Sequence, residues 1–332
     1  MKKYMRYPTK LILSVVVITI TLMTNTLFAQ NPTAVATLTK VNGKVEVQIS
    51  KMNKRTMGRE GLLLYQDDTI ITGQGGRVTV LFRDGSEIRL FENTQFMIET
   101  GKEQETEQRS FRYNFFMKMG SFWGKMQKSR QQTSIKTPTA TIGVKGTSLR
   151  VSTNETASSI ALTEGLISVD NKNSSIELVP GKRVVSISST DDLSKKIEDI
   201  PYKLFITADS YDVDFTKTQQ STIRLSIQLG NVQTGQNLGR SGKLYLRSNY
   251  PNIQFPENVE LDASGFVRFP IEINSPRYQD QEFDGNVTIW AVPDDAKADD
   301  IGEGSILIKI KSASKTRHYH IDGNTGEISP VK

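Results

Sequence analysis

Apolar and polar residues alternate with a period of two through most of the first half of the chain. VNGKVEVQI (Val41 to Ile49), GRVTVLF (Gly76 to Phe82), SEIRLF (Ser86 to Phe91), QFMIE (Gln95 to Glu99), SIALTEGLISV (Ser159 to Val169) and SIELVPGKRVVSI (Ser175 to Ile187) carry the pattern of strands with one buried face. Asn42-Gly43 and Asp84-Gly85 are tight-turn dipeptides, because Asn, Asp and Gly tolerate positive φ. Turn glycines recur at Gly43, Gly85, Gly165 and Gly181 without a fixed period, so no solenoid is predicted. TPTATIGVKGTSLRV, from Thr137 to Val151, sits at the centre of this half. Its Gly143 and Gly146, set among small and β-branched residues, give the chain room to bend and re-enter a sheet. The stretch holds neither a nucleophile beside a base nor a cluster of metal ligands, and predicts a structural corner.

Composition shifts at STDDLSKKIEDIPYK, Ser189 to Lys203, which reads as a linker over 191–215 with a short helix capped by Thr190, Asp191 or Asp192. Alternation then resumes. In STIRLSIQL, Ile223, Leu225, Ile227 and Leu229 share one face, and KLYLRS, VELDASGFVRFPIEI, GNVTIWAV and SILIKIK follow. Their number and spacing predict a small Ig-like β-sandwich over 216–312, with a hairpin turn at Asp262-Ala263-Ser264-Gly265, Trp290 as a core anchor and a polar tail over 313–332. The expected fold class is all-β: a sheet-rich module over 30–190, then the sandwich.

Residues 1–29 have the form of an export signal: basic Lys2, Lys3, Arg6 and Lys10, an apolar run from Leu11 to Met23, and Leu27-Phe28-Ala29 as a cleavage site. The run is short against the roughly 20 residues a spanning helix needs, and no later run approaches that length, so no integral membrane segment is expected after cleavage. The expected location is extracytoplasmic, in the periplasm, at the surface or secreted. Removing the four basic residues of the signal reduces the formal charge from +6 to +2. An exported chain so near neutrality is a poor match for nucleic acid. What charge remains is uneven, basic over 30–190 and acidic over 191–332. The absence of Cys excludes disulfides, thiol catalysis and thiolate metal sites.

Between Gln108 and Asn154 there is no acidic residue, while Arg109, Arg112, Lys118, Lys125, Lys128, Arg130, Lys136, Lys145 and Arg150 interleave with Phe111, Tyr113, Phe115, Phe116, Phe122 and Trp123. Two readings stand. Either a hairpin here turns its aromatics to the core and its cations to water, or Phe122, Trp123, Lys125, Lys128 and Arg130 form a face for an envelope partner, a protein or an anionic glycan. Asp294, Asp295, Asp299, Asp300 and Glu303 make an oxygen-rich loop without EF-hand spacing, read as a calcium site or as a solvated acidic turn. His318 and His320 lack a third ligand nearby. Catalysis would be confined to carboxylate, Lys or Tyr chemistry, such as a glycosidase carboxylate pair. No catalytic residue, metal ligand or cofactor is expected.

The runs from Gly58 to Ile98, from Ile135 to Val151 and over IALTEGLISVDN and LVPGKRVV (Leu178 to Val185), taken in order and at this spacing, resemble the FecR domain. The resemblance implies an all-β extracytoplasmic module, found in iron-uptake anti-sigma regulators and in exported proteins without that apparatus. It marks Asp84, Gly85, Thr137, Pro138, Thr139, Gly143, Lys145, Gly146, Thr147, Gly165 and Gly181 as structural motif residues. Asp67-Asp68 stands where the family usually has Gly-Asp, and Lys145 where it usually has Arg. Only a signal precedes the module, which points away from a direct anti-sigma role. The expected function is an exported, non-enzymatic binding or scaffold protein, or a periplasmic accessory to a signalling system.

Overall fold

Strands of the first half divide between two layers that share one strand and together form a 17-stranded sheet. The computed structural model describes residues 33–104, 110–128, 133–275, 285–311, 319–321 and 328–330. The signal segment, Arg109, Arg130 and His318 lie outside them. Ala34–Lys332 is one compact unit.

The first layer contains Ala36–Asn42, Arg77–Phe82, Glu87–Leu90, Ser148–Thr153, Ser158–Glu164, Lys182–Ile187 and Ile197–Asp199. Val45–Ile49, Thr69–Thr72, Gln95–Gln104, Thr133–Lys136, Thr141–Val144, Ile167–Asp170 and Ser175–Leu178 belong to the second. Ser110–Lys125 serves both: its early residues pair with Gln95–Gln104, its last with Glu87–Leu90 and Ser148–Thr153. The inner faces close on a core that includes Leu38, Val80, Leu90, Phe122, Val151 and Leu162 from one side and Phe96, Phe115, Ile142 and Val169 from the other. Each such side chain contributes about 1.5–3 kcal/mol by leaving water. Phe96 contacts Phe115 at 5.2 Å and Phe122 at 5.7 Å, and Phe82 contacts Tyr113 at 4.9 Å, joining the layers through aromatic edges.

The aromatic part of the basic-aromatic stretch is therefore one 16-residue strand, Ser110–Lys125, paired antiparallel with Gln95–Gln104. It changes layer at Gly120, whose φ is +105° and where a Cβ would lie 2.3 Å from the Thr94 Cα. SIALTEGLISV likewise divides into two strands in different layers, separated at Gly165 (φ +88°), where a Cβ would lie 2.5 Å from the Gly146 carbonyl oxygen. That carbonyl belongs to the opposite crossing, in which Thr141–Val144 gives way to Ser148–Thr153 through Lys145–Thr147. Gly143 lies within a regular strand, paired with Ser134 and Ser168, so the bend is carried by Gly146.

Ser158 anchors the TPTA segment to the first layer. Its hydroxyl lies 2.9 Å from that of Thr137, 2.6 Å from Thr139 and 2.7 Å from Thr153, and the Thr137 hydroxyl also caps its own turn through the Ala140 carbonyl and N–H. All four hydroxyls are buried and mutually satisfied, as buried polar groups must be.

In the second half, two five-stranded sheets enclose a separate core of Leu204, Ile223, Leu225, Ile227, Ile271, Val287, Ile289 and Ile308, among others. Tyr202–Ala208, inside the expected linker, is a strand of this assembly, paired with Gln220–Asn231. A 3-10 turn at Leu193–Lys196, capped by the Asp192 side chain, precedes it. The Asp262–Gly265 turn is not a hairpin loop, because Val259–Leu261 and Phe266–Asn274 belong to different sheets. Trp290 is not in the core either: Ile289 and Ala291 point inward, which sends Trp290 to the opposite face.

Gly165→Ala should destabilise the protein by about 3 kcal/mol, the sum of a left-handed backbone and a backbone clash. Urea denaturation of the purified variant measures this directly, and an unchanged midpoint would contradict the packed crossing.

Candidate functional site

Cross-strand register places Thr79 beside Arg89, Arg89 beside Trp123, Trp123 beside Arg150, Arg150 beside Ala161, and Ala161 beside Arg183. This row runs across the first layer on the face away from its core. Positions there normally meet water, yet Thr79, Arg89, Trp123, Arg150 and Ala161 are buried. The cover is the second half of the chain, namely the strands Gly242–Ser248 and Gly285–Pro293 and the acidic loop that follows.

Arg89, Trp123, Arg150 and Arg183 each have a partner in that cover, and Thr79 is bonded within the row. Arg89 donates through Nε and Nη2 to the two oxygens of Asp294 at 2.6 and 2.9 Å, and through Nη1 to the Thr79 hydroxyl at 3.0 Å. Two carbonyls, of Pro293 at 2.7 Å and Asp295 at 2.6 Å, accept from Arg150. The Trp123 indole N–H donates to Glu303 at 3.2 Å, and Arg183 lies 3.7 Å from Asp299. Tyr245 packs against Trp123, lies under the Arg89 guanidinium at 4.5 Å and donates its hydroxyl to Glu87 at 2.5 Å. Arg247 lies over both Trp123 and Trp290, 5.6 and 4.8 Å from the ring centres. Burial lowers the Arg150 pKa to about 10, while Asp295, Asp294, Asp299 and Glu303 pull it upward, so the group stays cationic at neutral pH.

These contacts reassign several expected site residues. Phe122 is in the core and Trp123 is under the second half, so neither can join Lys128 in an exposed face. Lys125 pairs with Glu164, and Lys128 is exposed. Carboxylates of the acidic loop meet arginines: Asp294 meets Arg89, Asp299 meets Arg183 and Asp300 meets Arg240 at 3.0 Å. Among the described residues no group of three or more His, Asp or Glu is placed to hold a metal ion. Asp84 accepts from the N–H and hydroxyl of Ser86, both at 2.9 Å, and closes the Asp84-Gly85 turn. Asp68 is buried and accepts from Ser50 N–H at 3.0 Å and Tyr65 N–H at 2.9 Å. Lys145 and Pro138 are exposed, Thr147 is buried, and Gly181 accepts from the Ile200 N–H at 2.8 Å.

Beside the row lies a half-open cleft of about 580 Å³, with walls from both halves. Thr163, Glu164, Pro180 and Gly181 supply one side; Asn231, Trp290, Gly302 and Glu303 supply the other, with Asp199–Lys203, including Tyr202, crossing between. Glu303 joins the two features: one oxygen accepts from Trp123 and the other from the Thr163 hydroxyl at 3.2 Å. Sequence reasoning missed Arg89, Tyr202, Tyr245 and the cleft, because only long-range register brings them together.

The architecture is that of an all-β protein built on a glycine-punctuated two-layer module. Residues 68–168 match the family model described as FecR protein. Gly58–Asp67 and the run from Leu178 to Val185 lie outside the match. No curated protein matches the sequence significantly. Among solved structures, two crystal structures of a candidate anti-sigma factor from Parabacteroides distasonis, at 2.50 and 1.65 Å, are similar at 19% identity and a TM-score of 0.32, each over 37% of this chain. This chain covers 55% and 56% of those chains, a little over half their length.

Removing one partner of a buried ion pair leaves an uncompensated charge, at a cost of about 3–5 kcal/mol. Arg89→Ala and Asp294→Ala should each lower stability by about that much, and the double variant by clearly less than their sum. A double-mutant cycle in urea tests it; additive losses would mean that the pair is not coupled. A pH effect follows from Asp84, whose pKa burial raises. Stability contributed by its protonated form is fully present below about pH 4 and is lost as pH rises through the higher folded value. Asp84→Asn, which keeps an acceptor for the Ser86 N–H, should flatten that decline. Urea midpoints for the two proteins from about pH 4 to about pH 7 measure the difference.

Proposed function

We propose that this is an exported, non-catalytic FecR-domain protein of the cell envelope that binds or scaffolds a partner protein. The observation that carries this reading is the cleft built jointly by the two β assemblies and held beside a row of arginines paired with the second half. Such a site is pre-formed, and binding to it requires little ordering. The glycan version of the partner loses support, because Phe122 and Trp123 are buried and the cleft lining carries more carboxylates than cations. A glycosidase reading also weakens: Glu164 is paired with Lys125, and Asp199 with Lys182 at 2.7 Å.

The family match over 68–168 favours a second reading, in which the protein is a periplasmic receiver acting through a separate membrane regulator. Export, signal cleavage and the periplasmic location belong to both proposals. Residues 30–332, which include the whole compact unit Ala34–Lys332, can be immobilised and exposed to detergent-solubilised envelope of the source organism. A specific protein partner is the expected result. Anionic glycan held in a salt-sensitive way, with no protein, would overturn it. Under the receiver reading, deleting the gene should change transcription of an uptake operon, and an unchanged transcriptome would rule that reading out.

A further inference from the structure

Resting on the protein-partner reading, we infer that the cleft takes the basic side chain of an extended peptide segment. Its lining contains Glu164, Asp199 and Glu303 against Lys203 as its one cation. Lys125 and Lys182 neutralise the first two from outside the lining. Glu303 instead accepts hydrogen bonds from two neutral donors, the Trp123 indole and the Thr163 hydroxyl; its charge also acts on the buried Arg150, and it keeps spare lone pairs for an incoming cation.

The surroundings suit a lysine or arginine side chain better than a small ion. Trp290, Tyr202, Pro180, Ile200 and Pro201 share the lining with Glu303, so a methylene stem finds apolar walls and its head finds a carboxylate near an indole. The volume is in the range of small-ligand sites and can hold a few residues of extended chain. Backbone recognition is also at hand. Ile197–Asp199 ends the first layer, pairs with Lys182–Val184 on one side only among the described strands, and leads straight into the lining at Asp199 and Ile200. Extended peptides bind open edges of this kind by adding a strand, with pockets choosing among side chains. An acidic peptide or an anionic glycan would meet like charge here.

Titrate residues 30–332 with the capped tetrapeptide acetyl-Val-Lys-Val-Lys-amide, and in parallel with acetyl-Val-Glu-Val-Glu-amide and with chitobiose, following tryptophan emission and heat. Both tryptophans adjoin the site, Trp290 in the lining and Trp123 through its hydrogen bond to Glu303, so emission reports on binding there. Selective, salt-weakened binding of the lysine peptide is expected, reduced about tenfold by Glu303→Gln and also by Trp290→Ala. Circular dichroism of both variants separates lost binding from lost folding. Equal binding of the two peptides, chitobiose binding without peptide binding, no lysine-peptide binding by the folded protein, or unchanged affinity in folded Glu303→Gln would each overturn the inference. If the variants still capture the envelope partner undiminished, the cleft assignment falls while the partner-binding reading stands.

Discussion

Guanidinium groups on the outer face of a sheet belong in water, and this protein places Arg89 and Arg150 where water cannot reach them. That is tolerable only because the second half of the chain delivers a carboxylate to Arg89 and two carbonyls to Arg150. Neither half has a complete surface without the other. A first module alone would expose Trp123 and Ala161, and a second alone would expose Tyr245 and Val292 beside an unpaired Asp294. The two cores are separate, but the charged layer between them makes one body of Ala34–Lys332. Replacing such a layer by hydrophobic residues is often neutral or stabilising, so its value lies less in net energy than in geometry. Bidentate pairing of Arg89 with Asp294 fixes where the strand ending at Pro293 must lie.

The cleft inherits that geometry. Glu303 reaches it from between the short strand Ile301–Gly302 and Gly304–Lys311, and its two hydrogen bonds go to residues of the first layer. Trp290 is turned outward by the strand whose end Arg150 holds, with Arg247 against its face. Thr163, Glu164, Tyr202, Asn231 and Trp290 of the cleft lining stand on strands of packed sheets, which favours a precise pocket.

Strand alternation made the all-β fold legible, and the resembling runs pointed to the region that matches the FecR family model over residues 68–168. The layering was not legible. Core-facing apolar positions shift parity across Gly165, from Ile160 and Leu162 to Ile167 and Val169, so one stretch concealed a crossing between layers, and the same happened at Gly120. A glycine at positive φ reverses which parity faces the core, and sequence pattern alone does not reveal the sign of φ. The charge asymmetry between halves was plain in the sequence, yet its meaning was hidden. Basic residues of the first half and acidic residues of the second prove to face one another as Arg89 with Asp294 and Arg183 with Asp299. The row that holds them draws on positions 79, 89, 123, 150, 161 and 183, which only register brings together.

The basic-aromatic stretch shows how the same residues can suggest the wrong surface. Before Gly120, Tyr113, Phe115 and Met117 face the core at odd positions. Beyond it Phe122, an even position, faces the core, and Trp123 is sent to the outer face beside Arg89 and Arg150. Aromatic residues interleaved with cations resemble a binding face when parity is assumed constant. With the parity reversal included, the arginine-tryptophan association is real but points inward, toward the second half of the chain. The recognition chemistry expected for an outside partner is used within the molecule, where Arg89 meets Asp294 and Trp123 meets Glu303.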